Sequence, residues 1–358
     1  MFVAWRDLRF ARGRFALIAS VVALITPLVG FLAGLTGGLA SQNISVVLAL
    51  PGDKIVLQHP VQGPVSFSDS TIDAATVTTW RAAAGVTSVV RLGITQGRAV
   101  SDGQPVAVAL FGVRHGAEQT SLTRLAPAHD DEVGLSTGAA DQLGVHDGDQ
   151  VSIAGRTYTV TAVGGDLWYS HTPAVAMSPS AWSIADKALG GTGQATALAV
   201  DGSPDWDAVA AATHTTASTH LRSLTALDTF KSEIGSLGLM IAMLFGVSAL
   251  VVGAFFTVWT MQRSGDIAVL KALGATTRSL VRDALGQASI VLIAGIGTGL
   301  LIVVGLSALA PSSLPFLLSP LTTLAPAAVM ALLGLAGAAF ALRSVTHADP
   351  LTALGSNR

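Results

Sequence analysis

The stretch FALIASVVALITPLVGFLAGLTGGLASQNISVVLALPG, residues 15–52, contains no charged residue. Two further charge-free runs follow it, at residues 234–262 and 284–342. Each run is longer than the ~18 apolar residues that indicate a membrane helix. The sequence therefore predicts a membrane protein and excludes a wholly soluble one.

The composition agrees with this prediction and removes several classes of function. Charged residues make up 12% of the 358 residues, whereas a soluble domain carries about 25%. A net charge of −2 gives no electrostatic basis for binding nucleic acid. The chain has no cysteine, which excludes disulfides, thiolate metal sites and cysteine nucleophiles.

Four membrane spans are predicted, because Pro311, Pro315 and Pro320 divide the last apolar run. Ser41, Gln42 and Asn43 interrupt the first run, so the first span is predicted to end at Leu39. The predicted segments are an N-terminal flank (1–14), span 1 (15–39), a large domain (40–231), span 2 (232–262), a loop (263–283), span 3 (284–310), a short turn (311–323), span 4 (324–342) and a tail (343–358).

The positions of Lys and Arg in the short flanks predict the orientation of the spans. Basic residues occur in the N-terminal flank, in the 263–283 loop and in the tail, whereas the 311–323 turn has none. Both termini and the 263–283 loop are therefore expected in the cytoplasm, and residues 40–231 outside. This is the arrangement of a multi-pass plasma-membrane protein.

The external domain is predicted to be α+β. Its β-rich runs alternate with short helical stretches at 73–84 and 205–212. We expect these strands to build a small sheet. The β-rich runs are Lys54–Gln58, Ser88–Thr95, Val106–Val113, Gln150–Ile153, Thr157–Val163 and Ala195–Val200.

The chain lacks the motifs of several enzyme classes. A P-loop ATPase needs G-x-x-x-x-G-K-[ST], but only Lys231 precedes a Ser or Thr, and it lacks the glycines. No G-x-S-x-G elbow is present, and the histidines show no metal-binding spacing. The acidic run Asp130-Asp131-Glu132 is best interpreted as a solvated loop. The chain is therefore predicted to have no enzymatic activity and no cofactor of its own.

The segment RSGDIAVLKALGAT, residues 263–276, lies between two predicted spans. Ile267, Leu270 and Leu273 fall at helical spacing, and Gly274 is suited to end a helix. This pattern is typical of a short amphipathic helix at the inner membrane surface. Two interpretations are open, an interfacial stop between spans or a lever that docks into a cytoplasmic partner.

The same segment resembles the coupling segment of MacB/FtsX-like ABC-transporter permeases, which usually have Glu where this chain has Asp266. The segment Ala4–Leu8, ahead of span 1, and the C-terminal sequence ADPLTALGS, residues 348–356, also resemble that family. The resemblance implies a homodimer with two separate ATPase subunits, which bind ATP and transmit motion along the membrane helices to the external domains. The residues it implies for contact with the ATPase are Arg263, Asp266, Ile267, Leu270, Lys271, Leu273 and Gly274.

Glycines at a spacing of four predict close helix packing. Gly30, Gly34 and Gly38 form such a series in the first span, and Gly295 and Gly299 form another in the third. This spacing does not identify the packing partner. By the resemblance, the first two spans are expected to form the homodimer seam.

Within the family, the chain looks most like the HrtB-type permeases of haem-efflux pumps, which makes haem the expected substrate. Haem requires an axial ligand, apolar walls and often a basic group. Glu233 and Met240 are seven residues apart and so share a helix face. The candidate haem residues are Glu233, Met240, Met243, Lys231, Arg222 and Tyr169.

Other interpretations stay open at this stage. Glu233 could be an acid that favours a helix N-terminus, and the methionines could be ordinary packing residues. At the level of function, the alternatives are an FtsX-like permease that transports nothing and relays ATPase motion to an external cell-wall hydrolase, or a permease for antibiotic or peptide efflux.

Overall fold

A computed structural model describes residues 12–60, 62–116, 119–262, 265, 269, 274, 276–309 and 314–346. The chain divides into two compact units. The membrane unit comprises Met1–Gly38 and Ser236–Arg358, and the sheet unit comprises Leu39–Gly235.

The helices and strands of the described residues alternate along the chain. The α-helices are α1 (Arg12–Leu48), α2 (Ala74–Ala82), α3 (Thr137–Leu143), α4 (Pro179–Ala188), α5 (Trp206–Thr213), α6 (His220–Ser223), α7 (Asp228–Gln262), α8 (Thr277–Leu309) and α9 (Pro320–Thr346). The strands are β1 (Lys54–Gln58), β2 (Val86–Ser101), β3 (Gln104–Gly112), β4 (Glu132–Leu135), β5 (Gln150–Ile153), β6 (Arg156–Val163), β7 (Trp168–Tyr169), β8 (Thr172–Met177), β9 (Ala197–Gly202) and β10 (Thr215–Ser218).

Within the described ranges, four helices are long and apolar enough to cross a membrane, with candidate spans Phe15–Leu48, Ser232–Val258, Thr277–Leu309 and Pro320–Phe340. The predicted fold class, four membrane helices with a sheet-rich domain between the first and second, is confirmed. Helix α1 continues to Leu48, however, and does not end at the predicted Leu39. Gln42 and Asn43, two of the polar residues that suggested an end, instead pair with groups of the sheet unit.

Helices α8 and α9 begin before the predicted starts of spans 3 and 4. Helix α8 begins at Thr277 because Thr276 accepts a hydrogen bond from the Ser279 amide, 3.3 Å, and so caps the first turn. Helix α9 begins at Pro320, where Ser319 accepts from the Thr322 amide at 3.2 Å. Proline suits the first helical position because its missing N–H has no partner there.

Small residues bring the helices of the membrane unit together. A Cβ at Gly295 would lie 2.8 Å from Val22, and one at Gly299 would lie 2.4 Å from Thr26, so α8 contacts α1 closely at both points. A Cβ at Gly334 of α9 would lie 2.7 Å from Leu292 of α8. The core around these contacts includes Phe15, Val22, Phe256, Leu292 and Met330.

The sheet unit is built on one 10-stranded sheet, in which nine strands have the order β10-β1-β9-β2-β3-β8-β4-β6-β5 and β7 pairs with β8 off this path. Strand β2 is long enough to pair with β9 through its first half and with β3 through its second half. Strand β5 returns to pair with β2, which closes the second half of the sheet on itself. The sheet is therefore larger than the small sheet predicted from the sequence.

Candidate functional site at the Glu233 carboxylate

Glu233 lies near the start of α7 and is held by two side chains that are distant in sequence. Its Oε1 lies 2.8 Å from Nε2 of His171, and its Oε2 accepts a hydrogen bond from Nδ2 of Asn43 at 3.0 Å. An ionised carboxylate only accepts hydrogen bonds, so the imidazole N–H donates. Three separate segments of the chain thus meet at one carboxylate.

The sequence places His171 there through a tight hairpin. Tyr169 of β7 pairs with Thr172 of β8, which leaves Ser170 and His171 as the two turn residues. Both have positive φ, 45° and 64°, as a type I′ turn requires. This turn suits two twisted strands.

The hairpin is fastened to the last turns of α1 by its backbone. The Ser170 amide donates to the Asn43 carbonyl at 3.1 Å, and the His171 amide donates to the Gln42 carbonyl at 3.0 Å. The Trp168 amide donates to Oγ of Ser45 at 2.8 Å. These hydrogen bonds explain why α1 continues through Gln42, Asn43 and Ser45 and does not end before them.

The site is partly open to its surroundings. The side chains of His171 and Glu233 are 32% and 33% exposed, whereas Asn43 is buried. The bonds from His171 and Asn43 hold both oxygens of the Glu233 carboxylate, while 33% of its side chain stays exposed. The arrangement can therefore present a fixed, partly accessible carboxylate to a cation or a metal centre.

The other predicted haem residues are not gathered with Glu233 into one described site. Met240 and Met243 follow it on α7 but belong to the membrane unit, where they are 56% and 65% exposed. They are not packing residues within this chain. Arg222 is exposed on α6, and Lys231 lies in α7 with a side chain outside the described part.

Tyr169 lies in the core of the sheet unit. Its ring makes edge contacts with Phe67 and Phe111, with centroids 6.2 and 5.7 Å away. Burial raises the pKa of the Tyr169 hydroxyl, and the nearby Asp228 carboxylate raises it further. Both effects oppose the phenolate form that an iron ligand needs, so Tyr169 has a packing role here.

The glycine series of α1 contacts other parts of the same chain. A Cβ at Gly30 would lie 2.8 Å from Val303 of α8, and one at Gly34 would lie 2.4 Å from Phe316. At Gly38 it would lie 1.9 Å from the Pro315 carbonyl. These glycines allow α8 and the segment before α9 to lie directly on α1.

Most of the predicted coupling residues fall outside the described residues. These are Arg263, Asp266, Ile267, Leu270, Lys271 and Leu273. Gly274 is described and has φ of 92°, a left-handed conformation that suits a helix end. The implied ATPase contact therefore stays a prediction from the sequence.

Among the described residues, no group of three or more His, Asp or Glu side chains could hold a metal ion. Asp130, in the acidic run, accepts hydrogen bonds from the hydroxyls of Ser178 and Ser180 at 2.5 and 2.9 Å. These bonds lower the pKa of the Asp130 carboxyl. Its carboxylate thus ties a loop to the start of α4.

Sequence reasoning identified Glu233 but missed its two partners. Asn43 carried a signal, because it is a buried polar residue inside an otherwise apolar helix, yet it was interpreted as the end of a span. His171 carried no signal of spacing, since its position depends on the fold of the hairpin.

Residues 238–350 match the family model of the FtsX-like permease C-terminal domain. The chain is 25% identical over 361 residues to the hemin transport system permease protein HrtB of Staphylococcus haemolyticus, covering 99% of each chain. It is also 25% identical over 374 residues to an uncharacterized ABC transporter permease of Mycobacterium tuberculosis, again covering 99% of each.

Two solved structures show weaker likenesses. The extracellular domain of the ABC-type transporter YknZ from Gram-positive bacteria has a TM-score of 0.32 and 10% identity, covering 46% of this chain and 98% of that one. The periplasmic region of MacB from Actinobacillus actinomycetemcomitans has a TM-score of 0.31 and 12% identity, covering 53% and 95%. Neither likeness is close enough to support an argument about fold.

The family model, the full-length sequence similarities and the four apolar helices agree with one another. A permease of this class lacks an ATPase of its own, and it implies a separate ATPase partner. Residues 238–350 therefore form an FtsX-like permease domain of a membrane protein, and the chain is similar over its full length to ABC-type permeases.

Proposed function

We propose that this chain is the membrane subunit of an ATP-driven exporter that removes hemin, or a similar amphiphile, from the membrane. The observation that carries the proposal is the Glu233 carboxylate, which is fixed by His171 and Asn43 and still partly exposed near the start of the second candidate span. The full-length similarity to hemin transport permeases supports the choice of substrate.

The chemistry of the site fits ferric haem. A carboxylate oxygen is a hard, anionic donor that suits a trivalent iron better than a neutral thioether does. The exposed methionines of α7 would offer a soft, apolar surface rather than the main ligand. In this proposal Glu233 ligates the iron, and a contact of Met240 and Met243 with the porphyrin stays a prediction from the sequence.

The pump is proposed to work as a homodimer with two ATPase subunits, and to pass ATPase motion along the membrane helices to sheet units that lie outside the cell. Helix α7 supports a seam between two copies. Gly238, Ala242 and Gly246 are exposed at a spacing of four, and a Cβ at either glycine would meet open space. Gly30, Gly34 and Gly38 of α1 are covered by other parts of the same chain. Helix α7 is therefore the more suitable surface for the seam between two copies.

Hemin titration of the complex with its ATPase tests the function. We expect the wild-type complex to shift the Soret band of hemin, and Glu233→Gln to lose this shift because the amide cannot act as an anionic ligand. Glu132→Ala is the matched control, since Glu132 lies at the start of β4 and its carboxylate accepts from the His129 amide. Hemin binding equal in wild type and Glu233→Gln would contradict the assignment.

A FtsX-like relay to a cell-wall hydrolase would give a different result in the same experiment. The complex would then hydrolyse ATP without binding hemin, and Glu233→Gln would change neither property. That outcome would remove the exporter proposal in favour of a non-transporting permease.

A further inference from the structure

The turn that carries His171 has a sequence poorly suited to its conformation. Ser170 and His171 are both left-handed, with φ of 45° and 64°. Glycine and asparagine are the usual residues in a type I′ turn because other side chains are strained at positive φ. Strain of this kind is often retained where a side chain has a function.

The strained turn belongs to a closed ring of hydrogen bonds around Glu233. The Ser170 amide donates to the carbonyl of Asn43, and the side chain of Asn43 donates to Glu233. His171 follows Ser170 and donates to the other carboxylate oxygen. His171 and Asn43 thus donate to different oxygens of Glu233, and these two donors are linked through the hairpin backbone.

The distance between His171 and Glu233 decides the role of the imidazole. Two ligands on opposite faces of one porphyrin iron are separated by about 4 Å, since each metal bond is about 2 Å long. Nε2 of His171 lies 2.8 Å from Oε1 of Glu233, which is a hydrogen-bond distance. His171 therefore acts through the carboxylate and does not share the iron with it.

We propose that His171 and Asn43 are positioning residues that fix the Glu233 carboxylate in the orientation in which it ligates hemin iron. This inference rests on the proposed function. Hydrogen bonds to a ligating carboxylate restrict its rotation and set its donor strength, and their removal costs about 10- to 100-fold in metal affinity. The strained turn is the means by which the imidazole reaches the carboxylate.

The positive φ values provide a variant that separates folding from positioning. His171→Gly removes the imidazole and also relieves the strain, because glycine adopts positive φ readily. Ser170→Gly relieves strain in the same turn but keeps the imidazole, which makes it a matched control. Both variants are expected to unfold at the same temperature as wild type or higher.

The test measures hemin affinity by Soret titration of the permease with its ATPase, together with the thermal midpoint of each variant. We expect His171→Gly and Asn43→Ala to weaken hemin binding by about 10- to 100-fold, with Ser170→Gly unchanged. In the Glu233→Gln background, His171→Gly should have no further effect, because the two residues act through one group.

Three outcomes would overturn the inference. If His171→Gly binds hemin as tightly as Ser170→Gly does, the imidazole does not position the ligand. If it binds hemin more tightly than wild type, His171 masks the carboxylate. If Glu233→Gln itself binds hemin like wild type, the proposed function fails first, and the positioning role fails with it.

Discussion

Replacing Gly38 by alanine should destabilise the membrane unit through a single methyl group. A Cβ at Gly38 would lie 1.9 Å from the carbonyl oxygen of Pro315 and 2.9 Å from the amide nitrogen of Phe316. Both neighbours are backbone atoms, so they cannot move aside as a flexible side chain would. The segment before α9 must therefore separate from α1.

The expected loss can be estimated from the contacts that hold this segment. The Leu317 amide donates to the Gly34 carbonyl at 3.0 Å, and the rings of Phe31 and Phe316 have centroids 5.1 Å apart. A hydrogen bond contributes about 0.5–1.5 kcal/mol and an aromatic pair a similar amount. Losing both lowers the free energy of unfolding by about 1–3 kcal/mol.

Gly297→Ala is the control for helix propensity, because Gly297 lies within α8 and a Cβ there meets no atom within 4 Å. Alanine favours a helix interior over glycine by about 1 kcal/mol, and this gain is common to both variants. Thermal unfolding in detergent should place the midpoint of Gly38→Ala about 2–10 °C below that of Gly297→Ala. Equal midpoints would refute the packing argument.

Three further predictions concern assembly, coupling and pH. Gly246→Leu should prevent the permease from forming dimers in a crosslinking or light-scattering assay, because the added side chain would separate the two copies of α7. Gly305→Leu, on the exposed side of α8, is the control and should leave the dimers intact. Leu270→Asp should abolish co-purification with the ATPase, or leave ATP hydrolysis uncoupled from export. The circular dichroism of the sheet unit should be unchanged. Normal coupled export by this variant would contradict the coupling role. Hydrogen bonds from serine hydroxyls lower the pKa of Asp130 below its ordinary value. This carboxylate therefore stabilises the fold above pH ~4 and loses that contribution as the pH falls through the lowered pKa. Asp130→Ala should lower the unfolding midpoint more at pH 7 than at pH 3, and an equal effect at both would show that the carboxylate charge is irrelevant.

Apolar periodicity and charge were enough to predict the number of membrane spans and their order. The end of α1 could not be predicted, because Gln42 and Asn43 look like a transition to water unless their partners are known. Those partners are the backbone of a hairpin more than 120 residues away and, for the side chain of Asn43, the Glu233 carboxylate. Polar residues at the end of an apolar helix can therefore mark a tertiary contact rather than a boundary.

The sheet was predicted only where strands alternate or are rich in β-branched residues. Strand β8, TPAVAM, is almost fully buried and has neither feature, so the sequence does not distinguish it from a loop. Strand β7 has only two residues. These two strands carry the His171 turn, which is why the candidate site was only half predicted.

The prediction of Glu233 depended on its place at the start of an apolar run and on the helix face it shares with Met240, seven residues later. Neither feature shows what the carboxylate contacts. Tyr169 illustrates the opposite case, because it was chosen by residue type alone and lies in the aromatic core. Residue chemistry selects candidates, and the fold then decides which of them can meet a ligand.

ATP-dependent release of hemin from proteoliposomes tests the central claim most directly. The permease and its ATPase would be reconstituted with hemin in the bilayer, and transfer to an external haem-binding protein would be followed by its Soret band. We predict ATP-dependent release by wild type, with Glu233→Gln reduced to the rate without ATP. Release that is independent of ATP, or equal in wild type and Glu233→Gln, would contradict the account.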